Sequence, residues 1–387
     1  MFAKEVLKWA LRKTWFSEAE YHPAQADRPF LIRLDTTNRC NLACKKCFYP
    51  MYMQSPPDAH GMSVDDFRVL AGRLFPYAYG LQLSCSFEPL LHPQFGEILT
   101  ETGRYGVPNV GLVTNGTLLD GERADAILSS QTIHDLSVSI NSLDPATYAN
   151  LHGRPGVERV RDNVERFLTA RRTRNLPFPR VKINTVVMRS NLNELETLLD
   201  WAARIGADCV QFAHVEPFGP ENDESVVTLP DRYNAVRERL VEQARTRRIE
   251  TLTPPPLRPE FRDPERGGYR WPEPEEKAPV PFSSEHPYPA HVPCICPWMT
   301  LVIDCRGNLY PCAPRTNRPP FANILRQEIP QALNSIRILR LRKALLRGQH
   351  RAVCAFCKPA GPYGDPMRRR VRHLNSTEES DSRVSRP

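Results

Sequence analysis

The chain contains 387 residues, of which 41% are hydrophobic and 25% are charged. These proportions are typical of a globular protein, and the length allows one large α/β domain with a smaller domain beside it. No apolar run reaches about 18 residues, so the sequence contains no predicted transmembrane helix. The sequence begins without the apolar core and cleavage site of a signal peptide, and we therefore expect a cytoplasmic protein.

The formal net charge is +8, and much of the excess lies toward the C-terminus in "RILRLRKALLRGQHR" and "MRRRVRH". These basic runs are not interleaved with aromatic residues, and no helix-turn-helix or nucleic-acid zinc-finger pattern accompanies them. The charge pattern therefore predicts a solvated basic surface and no nucleic-acid partner.

Residues 1–28 have the pattern of a cationic, partly amphipathic helix, in which lysines and an arginine stand beside Trp9 and Trp15. Cations and tryptophans on one helix are typical of an anchor at a membrane surface. The alternative is a helix whose apolar side packs on the main domain. We favour the packed helix and keep peripheral membrane contact as the alternative.

Residues 29–250 alternate between strand-like and helical segments. The strand-like runs are "FLIRLD", "GLQLSC", "NVGLVTN", "DLSVSIN", "RVKINTVVM" and "CVQFAHV". Six β–α units in series favour a parallel sheet with crossover helices. The predicted fold class is therefore α/β, a partial (β/α)6 TIM-like barrel, in which function belongs at the C-terminal ends of the strands.

The rest of the chain divides into three segments. Residues 251–290 are rich in proline and poor in aliphatic residues, which predicts an irregular connector. Residues 291–362 carry six cysteines and are predicted to form a small Cys-rich domain. Residues 363–387 are predicted to be a basic and then disordered tail.

Three cysteines follow the first strand within eight residues, at Cys40, Cys44 and Cys47. The C-x3-C-x2-C spacing allows three thiolates to hold three corners of an iron–sulfur cube, while the fourth iron keeps an open coordination position. Zinc is the alternative, although structural zinc sites prefer paired C-x2-C turns.

This motif, together with "SFEPLLHP", "TNGTLL" and "SVSINSLDPATY", resembles the radical S-adenosylmethionine (SAM) enzymes, almost continuously over residues 30–218. The resemblance implies that the three cysteines bind a 4Fe–4S cluster whose open iron binds SAM. It also implies reductive cleavage of SAM to a 5′-deoxyadenosyl radical, which abstracts a substrate hydrogen, with reduced flavodoxin or ferredoxin as electron donor. Lys46 departs from the family, which usually has an aromatic residue before the third cysteine.

Further positions match family segments that surround SAM. The resemblance implies cofactor-binding roles for Glu88, Asn115, Ser139, Asn141, Arg154 and Asn184. Glu88 lies in the segment that resembles the binding site of the SAM amino group, and Arg154 resembles the arginine that holds the SAM carboxylate. A helix cap is the alternative role for Glu88, and a plain surface position is the alternative for Arg154. Ser86 and Phe87 replace two family glycines before Glu88.

The C-terminal cysteines have a second pattern. "CPWMTLVIDCRGNLYPC", a following "ANI" and a late "CAFC" resemble the SPASM/Twitch auxiliary-cluster domains. The resemblance implies one auxiliary 4Fe–4S cluster, whose ligands are Cys296, Cys312, Cys354 and Cys357. Cys294 is an alternative to Cys296, Cys305 is either a spare thiol or a further ligand, and a zinc ribbon is the alternative for the whole domain.

Cys85 ends the second strand, just before "SFEP". A thiol at this place could return a hydrogen atom to a product radical, so Cys85 is a candidate catalytic residue of an epimerase. The alternative is a small core residue, which is also the expected role of Cys209.

These patterns predict a radical SAM oxidoreductase with two 4Fe–4S clusters, in which the auxiliary cluster accepts or donates an electron while a small-molecule or sugar-like substrate is oxidised. The first alternative is a radical SAM peptide maturase or epimerase. The second alternative is a metal-binding protein without catalytic activity.

Overall fold

The computed structural model describes residues 28–47, 60–84, 86–215, 224–257, 262–263, 268–269, 296–310 and 319–346. The predicted N-terminal helix, most of the proline-rich connector and the C-terminal tail lie outside the described residues. Five cysteines also lie outside them, namely Cys85, Cys294, Cys312, Cys354 and Cys357.

Seven parallel strands lie side by side in the sheet, in the order in which they occur in the chain. They are β1 (Phe30–Leu34), β2 (Ala78–Leu83), β3 (Val110–Thr114), β4 (Asp135–Ser139), β5 (Arg180–Val187), β6 (Cys209–His214) and β7 (Glu250–Leu252). The first six confirm the predicted strands, and β7 is a further parallel strand that the sequence reading placed at a domain boundary. The sheet does not close, because β7 has no partner on its outer side among the described residues. The fold is therefore a partial TIM-like barrel.

Helices connect successive strands, as parallel pairing requires. They are α1 (Val64–Leu74), α2 (Phe95–Gly103), α3 (Gly121–Ser130), α4 (Pro145–His152), α5 (Val157–Thr173), α6 (Leu195–Ile205) and α7 (Pro230–Arg247). In α1 the Ser63 side chain accepts a hydrogen bond from the Asp66 backbone N–H, so the helix begins with a polar cap before its apolar face starts. No helix within the described residues is long and apolar enough to cross a membrane.

Alternate positions of each strand pack against the helices in one core. Ile32, Leu83, Leu112 and Val138 are typical of these positions, since each is almost fully buried. Side chains alternate across a strand, so the intervening positions lie on the opposite face of the sheet. We call this surface the inner face; its members on β1 to β6 include Arg33, Gln82, Gly111, Ser137, Ser139, Lys182, Asn184 and Gln211. Because most of these residues are polar, the inner face suits a polar ligand better than a packed apolar core.

The C-terminal cysteine-rich segment extends the same sheet rather than forming a sheet of its own. Strand β10 (Thr300–Ile303) pairs in parallel with β1, and the antiparallel strands β11 (Asn308–Tyr310) and β12 (Ala322–Asn323) continue outward. Gly307 supplies the left-handed residue of the β10–β11 turn, with a φ of +75°. A separate two-stranded pair, β8 (Arg262–Asp263) and β9 (Gly268–Tyr269), falls within the predicted connector.

Three short or medium helices complete this segment, namely α8 (Cys296–Met299), α9 (Ile329–Leu333) and α10 (Ile336–Leu346). Arg342 of α10 is 1% exposed, and its Nε and Nη2 both donate to the Pro297 carbonyl, at 3.0 and 2.8 Å. Its guanidinium also lies over the Trp298 ring. A buried cation satisfied in this way joins α10 to α8, and hence to the start of β10.

Replacement of this arginine tests the connection. Arg342→Met should lower the free energy of unfolding by about 3 kcal/mol, because the buried Pro297 carbonyl loses its charged donors. Arg340→Met, on the exposed side of the same helix, should change stability by less than about 0.5 kcal/mol. Urea denaturation of both variants measures the difference, and equal stabilities would contradict the assigned role.

Candidate functional site

The first cysteine cluster lies on the loop that follows β1, at the C-terminal edge of the sheet. Cys40 is exposed and Cys44 and Cys47 are half-buried. Desolvation by surrounding protein atoms, together with the charges of Cys47 and Cys40, raises the pKa of Cys44 to about 12. The pKa of Cys40 is also raised, chiefly by desolvation and in part by the charge of Cys47. The thiols therefore lie near enough to affect one another, and a bound cation would favour their ionised forms.

The donor set fits an iron–sulfur cube better than a single ion. No group of three His, Cys, Asp or Glu side chains among the described residues converges on a point where one metal ion could sit. A cube has a separate iron for each thiolate, so its ligands need not converge on one point. Three soft thiolates on an exposed edge of the sheet, at the predicted spacing, are therefore compatible with the cluster that the sequence implies.

The cysteine loop is fastened to the C-terminal end of helix α4 on both sides of Cys44. The Ala43 N–H donates to the His152 carbonyl at 3.1 Å, and the Lys45 N–H donates to the Leu151 carbonyl at 2.9 Å. These two carbonyls belong to the last turn of the helix, where carbonyl groups lack partners within the helix. The loop thus obtains fixed backbone geometry from a rigid element.

Gly153 closes this contact. It ends α4 in the left-handed conformation, and a Cβ at this position would lie 2.4 Å from the Ala43 carbonyl oxygen. Any other residue would therefore push the helix end and the cysteine loop apart.

A polar network of amide side chains supports Cys40. The Asn115 side chain lies where it favours the ionised form of Cys40, and this influence moderates the rise in the pKa of Cys40. Asn115 Nδ2 also donates to Asn41 Oδ1 at 2.8 Å, and Asn41 Nδ2 donates to Thr117 Oγ1 at 2.8 Å. Asn115 was predicted to bind the cofactor, and the structure brings it to the first cysteine.

Glu88 lies beneath this network and is 2% exposed. Its Oε2 accepts from the Asn115 N–H at 2.7 Å, while its Oε1 accepts from Thr114 Oγ1 and from the Leu90 N–H. Burial raises the pKa of Glu88 to about 7, although these three donors favour the ionised form. The structure therefore gives Glu88 the capping arrangement that the sequence left as an alternative, and it places the carboxylate behind Asn115.

Ser139 and Asn184 are neighbours on the inner face, since they are register partners on β4 and β5. Among the described residues, Asn184 Oδ1 and Gln82 Nε2 are buried polar atoms without a hydrogen-bond partner in the protein. An unsatisfied buried acceptor or donor costs about 1–3 kcal/mol, so such atoms normally meet a ligand or water. One acceptor and one donor on the inner face thus fit a polar ligand such as SAM or a substrate.

Asn141 and Arg154 have different surroundings. Asn141 Oδ1 accepts from the Val186 N–H at 2.9 Å, so its side chain joins the ends of β4 and β5. Arg154 is exposed, two residues beyond His152 and next to the glycine that contacts the cysteine loop. Both residues lie near the candidate site in the sequence. Within the described part of the chain, the structure shows no contact between either of them and Cys40, Cys44 or Cys47.

His152 is a site residue that the sequence reading missed. Its ring is 2% exposed, and its Nδ1 lies 3.5 Å from Cys44 Sγ. Burial lowers the pKa of His152 to about 4, so the imidazole is neutral. The only signal in the sequence was a histidine directly before a helix-ending glycine, a pattern that does not predict a contact with a loop more than one hundred residues away.

Two of the C-terminal cysteines can be located. Cys296 begins α8 and is half-buried, whereas Cys305 is buried in the β10–β11 turn. Burial, with the nearby charges of Asp304 and Asp35, raises the pKa of Cys305 to about 12. Its burial within the hydrophobic core favours the spare thiol over the further ligand. Cys209 is likewise buried, and it lies at the start of β6.

Comparisons with known proteins agree with this geometry. Residues 34–202 match the profile of the radical SAM superfamily, and residues 294–358 match the SPASM profile, which describes an iron–sulfur cluster-binding domain. A GTP 3′,8-cyclase from Erythrobacter litoralis is 31% identical over 214 residues, which are 54% of this chain and 60% of that protein. An AdoMet-dependent heme synthase from Methanosarcina barkeri is 29% identical over 231 residues, which are 59% of this chain and 62% of that protein. The chain thus spans about three-fifths of the length of these relatives.

The fold also resembles solved structures. SuiB from Streptococcus suis, bound to S-adenosylmethionine, superposes with a TM-score of 0.61 at 14% identity, over 82% of this chain and 69% of that chain. A second structure of SuiB contains its precursor peptide SuiA. At this identity the likeness concerns the fold alone.

Substitution of Gly153 tests the attachment of the cysteine loop. Gly153→Ala and Gly106→Ala both place alanine at a left-handed φ, +71° and +52°, so both carry a backbone strain of about 1 kcal/mol. Only at Gly153 would the new Cβ clash, since nothing lies within 4 Å of one at Gly106. We expect Gly153→Ala to bind less iron after anaerobic reconstitution, while Gly106→Ala matches wild type. Equal iron contents of the two variants would show that the loop does not depend on this contact.

Proposed function

Since the chain belongs to the radical SAM superfamily and carries a SPASM iron–sulfur domain, we propose that it oxidises a small polar molecule by hydrogen abstraction. In this proposal Cys40, Cys44 and Cys47 hold the cluster that binds SAM, and Cys296, Cys312, Cys354 and Cys357 hold one auxiliary cluster. The first cluster, when bound, supplies the electron that cleaves SAM to the 5′-deoxyadenosyl radical. Members of this superfamily need an electron donor, and we propose reduced flavodoxin or ferredoxin for this chain.

The observation that carries the proposal is the position of the cysteine loop beside a polar inner face. The loop follows β1 at the C-terminal edge, and the inner face carries Asn184 Oδ1 and Gln82 Nε2 without protein partners among the described residues. A barrel with a structural role only would fill this face with apolar side chains. A polar face beside the cluster ligands supports a bound polar cofactor and substrate.

In this proposal each site residue has a separate role. Asn115 and the helix α4 hold the cysteine loop, Glu88 holds Asn115, and Asn184 with Ser139 meets the polar part of SAM. Closing of the site over the substrate keeps water away from the reacting atoms. Arg154, which is exposed at the end of α4, is proposed to meet the SAM carboxylate, since a guanidinium pairs with a carboxylate in two parallel hydrogen bonds.

An oxidative outcome is proposed because Cys296, one ligand of the proposed auxiliary cluster, lies toward the other end of β1 from Cys40. Cys296 precedes β10 by four residues, and Thr300 of β10 pairs beside Leu31 at the start of β1. Cys40 lies beyond the end of β1. A substrate on the inner face would therefore lie between Cys40 and Cys296, and a cluster held by Cys296 could take up an electron from the substrate radical. The curated relatives named above are a cyclase of GTP and a heme synthase, which supports a small-molecule substrate.

A peptide maturase or epimerase is the second candidate. The fold of SuiB, which has been solved with its precursor peptide, supports this candidate, and Cys85 is its proposed hydrogen donor. An epimerase transfers a hydrogen atom from the thiol to the substrate radical and needs no electron acceptor, and the thiyl radical that remains is restored by one electron from the reduced donor protein and one proton. The two candidates therefore differ in the net number of electrons removed from the substrate. A metal-binding protein without activity is the third candidate, and it predicts no cleavage of SAM.

Removal of each cysteine set tests the proposal. Reconstituted wild type should contain about eight irons per chain, and both the C40A/C44A/C47A and the C354A/C357A variants should contain about four. Under strong reduction, wild type and C354A/C357A should form 5′-deoxyadenosine, because the first set remains. Formation of 5′-deoxyadenosine by C40A/C44A/C47A, or its absence from wild type, contradicts the proposed function.

Asn184 offers a test of SAM binding itself. Asn184→Leu should weaken SAM binding about tenfold, or about 1.4 kcal/mol, because the buried acceptor is removed. Asn193→Leu is the control, since Asn193 is an exposed asparagine that accepts a hydrogen bond from Arg232. Anaerobic equilibrium dialysis with labelled SAM measures both, and an unchanged dissociation constant for Asn184→Leu would exclude this contact.

A further inference from the structure

We propose that His152 and Tyr148 of helix α4 act as positioning residues that donate hydrogen bonds to the Cys44 side of the first cluster and so raise its reduction potential. The inference rests on the proposed function in one respect, namely that Cys40, Cys44 and Cys47 hold this cluster. It assigns a role to two aromatic residues that the sequence motif does not include.

The first step is the protonation of His152. Its Nε2 lies 3.3 Å from the backbone nitrogen of Asn141. A backbone N–H only donates, so Nε2 must be the unprotonated acceptor nitrogen of the ring. The proton of the neutral imidazole is then on Nδ1, and the hydrogen-bond network assigns this tautomer. Nδ1 is the nitrogen that lies 3.5 Å from Cys44 Sγ. The geometry therefore makes His152 a donor to the Cys44 sulfur.

The second step is Tyr148, which lies one turn earlier on the same side of α4. Its ring stacks on the His152 ring, with centroids 4.2 Å apart and an angle of 20° between the planes. Tyr148 is fully buried, and among the described residues its hydroxyl has no hydrogen-bond partner. Tyr148 therefore reaches the cysteine loop through His152, whose Nδ1 contacts Cys44. A buried O–H group without a partner at this place is a donor that the bound cluster would satisfy.

The third step is the rigidity of the arrangement. Backbone hydrogen bonds from Ala43 and Lys45 to the end of α4 hold Cys44 from both sides, and the stacked rings are buried beneath it. The attachment of the loop therefore holds Cys44 against the helix end that carries both rings. Geometry of this kind persists when the charge of the cluster changes.

The consequence is electrostatic. One-electron reduction adds a negative charge that is shared by the cluster and its thiolate ligands. A hydrogen bond to a thiolate stabilises the more negative form, especially in a site away from water. Hydrogen bonds to the sulfurs are among the factors that set cluster potentials. Loss of the donors should therefore make the cluster harder to reduce.

Two substitutions of His152 separate the donor from the ring. His152→Asn keeps a donor near the place of Nδ1, whereas His152→Gln keeps an acceptor near the place of Nε2. The full-length variants are reconstituted anaerobically, and the midpoint potential is measured by EPR-monitored redox titration. The signal of the first cluster is identified by its absence from C40A/C44A/C47A. Iron content, measured in parallel, reports whether the cluster is present at all.

We expect His152→Gln to lower the ratio of reduced to oxidised cluster about tenfold at a given potential, a shift of about 59 mV for one electron. His152→Asn should remain within about twofold of wild type. Equal potentials in wild type and His152→Gln, or equal shifts in both variants, would overturn the proposed donor. Because iron content is measured separately, failure of the cysteines to bind a cluster is distinguishable from failure of this inference.

Tyr148→Phe provides the second test. It tests the proposed hydrogen-bond donors even if both His152 variants fail to bind iron. It keeps the stacked ring and removes only the hydroxyl. We expect its potential to fall in the same direction as that of His152→Gln, by a smaller factor. An unchanged potential would overturn the role of Tyr148 and, where the histidine variants bind no cluster, the inference as a whole.

Discussion

The candidate site depends on the hydrogen bonds between the cysteine loop and the C-terminal end of helix α4. A loop with three cysteines has no regular structure of its own, and its thiols repel one another once they ionise. The helix end offers carbonyl groups that lack partners within the helix, and the N–H groups of Ala43 and Lys45 satisfy two of them. The same contacts therefore complete the helix and fix the loop. Gly153 permits this close approach, since its Cβ-less backbone leaves room for the Ala43 carbonyl.

The two faces of the sheet differ in polarity: the helix-packed face stabilises the fold, and the inner face suits a ligand. The helix-packed positions of the strands are apolar and nearly fully buried, and they supply the stability of the sheet. The inner face carries amide, hydroxyl and cationic side chains instead. Since burial of unsatisfied polar groups opposes folding, such a face is compatible with a stable protein only where a ligand, water or further chain covers it.

The sequence was sufficient for the order of the strands and for the place of the three cysteines on the loop after the first strand, because both depend on local patterns. Alternating apolar runs predicted six parallel strands, and the spacing of Cys40, Cys44 and Cys47 predicted a cluster loop after the first. The contact between His152 and Cys44 could not be predicted in this way, since it joins positions 108 residues apart. It depends on how the end of α4, which follows β4, meets the loop that follows β1, and a single sequence does not record that contact.

Glu88 shows a different limit of the sequence. Its place before Pro89 fits both a cofactor contact and a helix cap, and the pattern alone did not decide between them. The structure shows that three donors surround the carboxylate, one from each of Leu90, Thr114 and Asn115. A buried carboxylate requires such donors, and here they come from the end of β3 and from the short helical turn that follows β2. The sequence reading also missed the strand β7, because three residues are too few to show the alternation of apolar and polar residues that marks a strand.

The pairing of β10 with β1 gives Cys296 a fixed relation to the first cysteine set. Cys40 follows the C-terminal end of β1, while α8, which begins at Cys296, contacts the strand itself and precedes its parallel partner. A five-residue strand spans about 15 Å, and Arg33 with Gln82 lies on the inner face within this length. In the proposed reaction, a substrate beside Arg33 and Gln82 would lie between Cys40 and Cys296. A sheet is stiffer than a loop, so the separation of these two cysteines follows from strand pairing and not from the binding of a substrate.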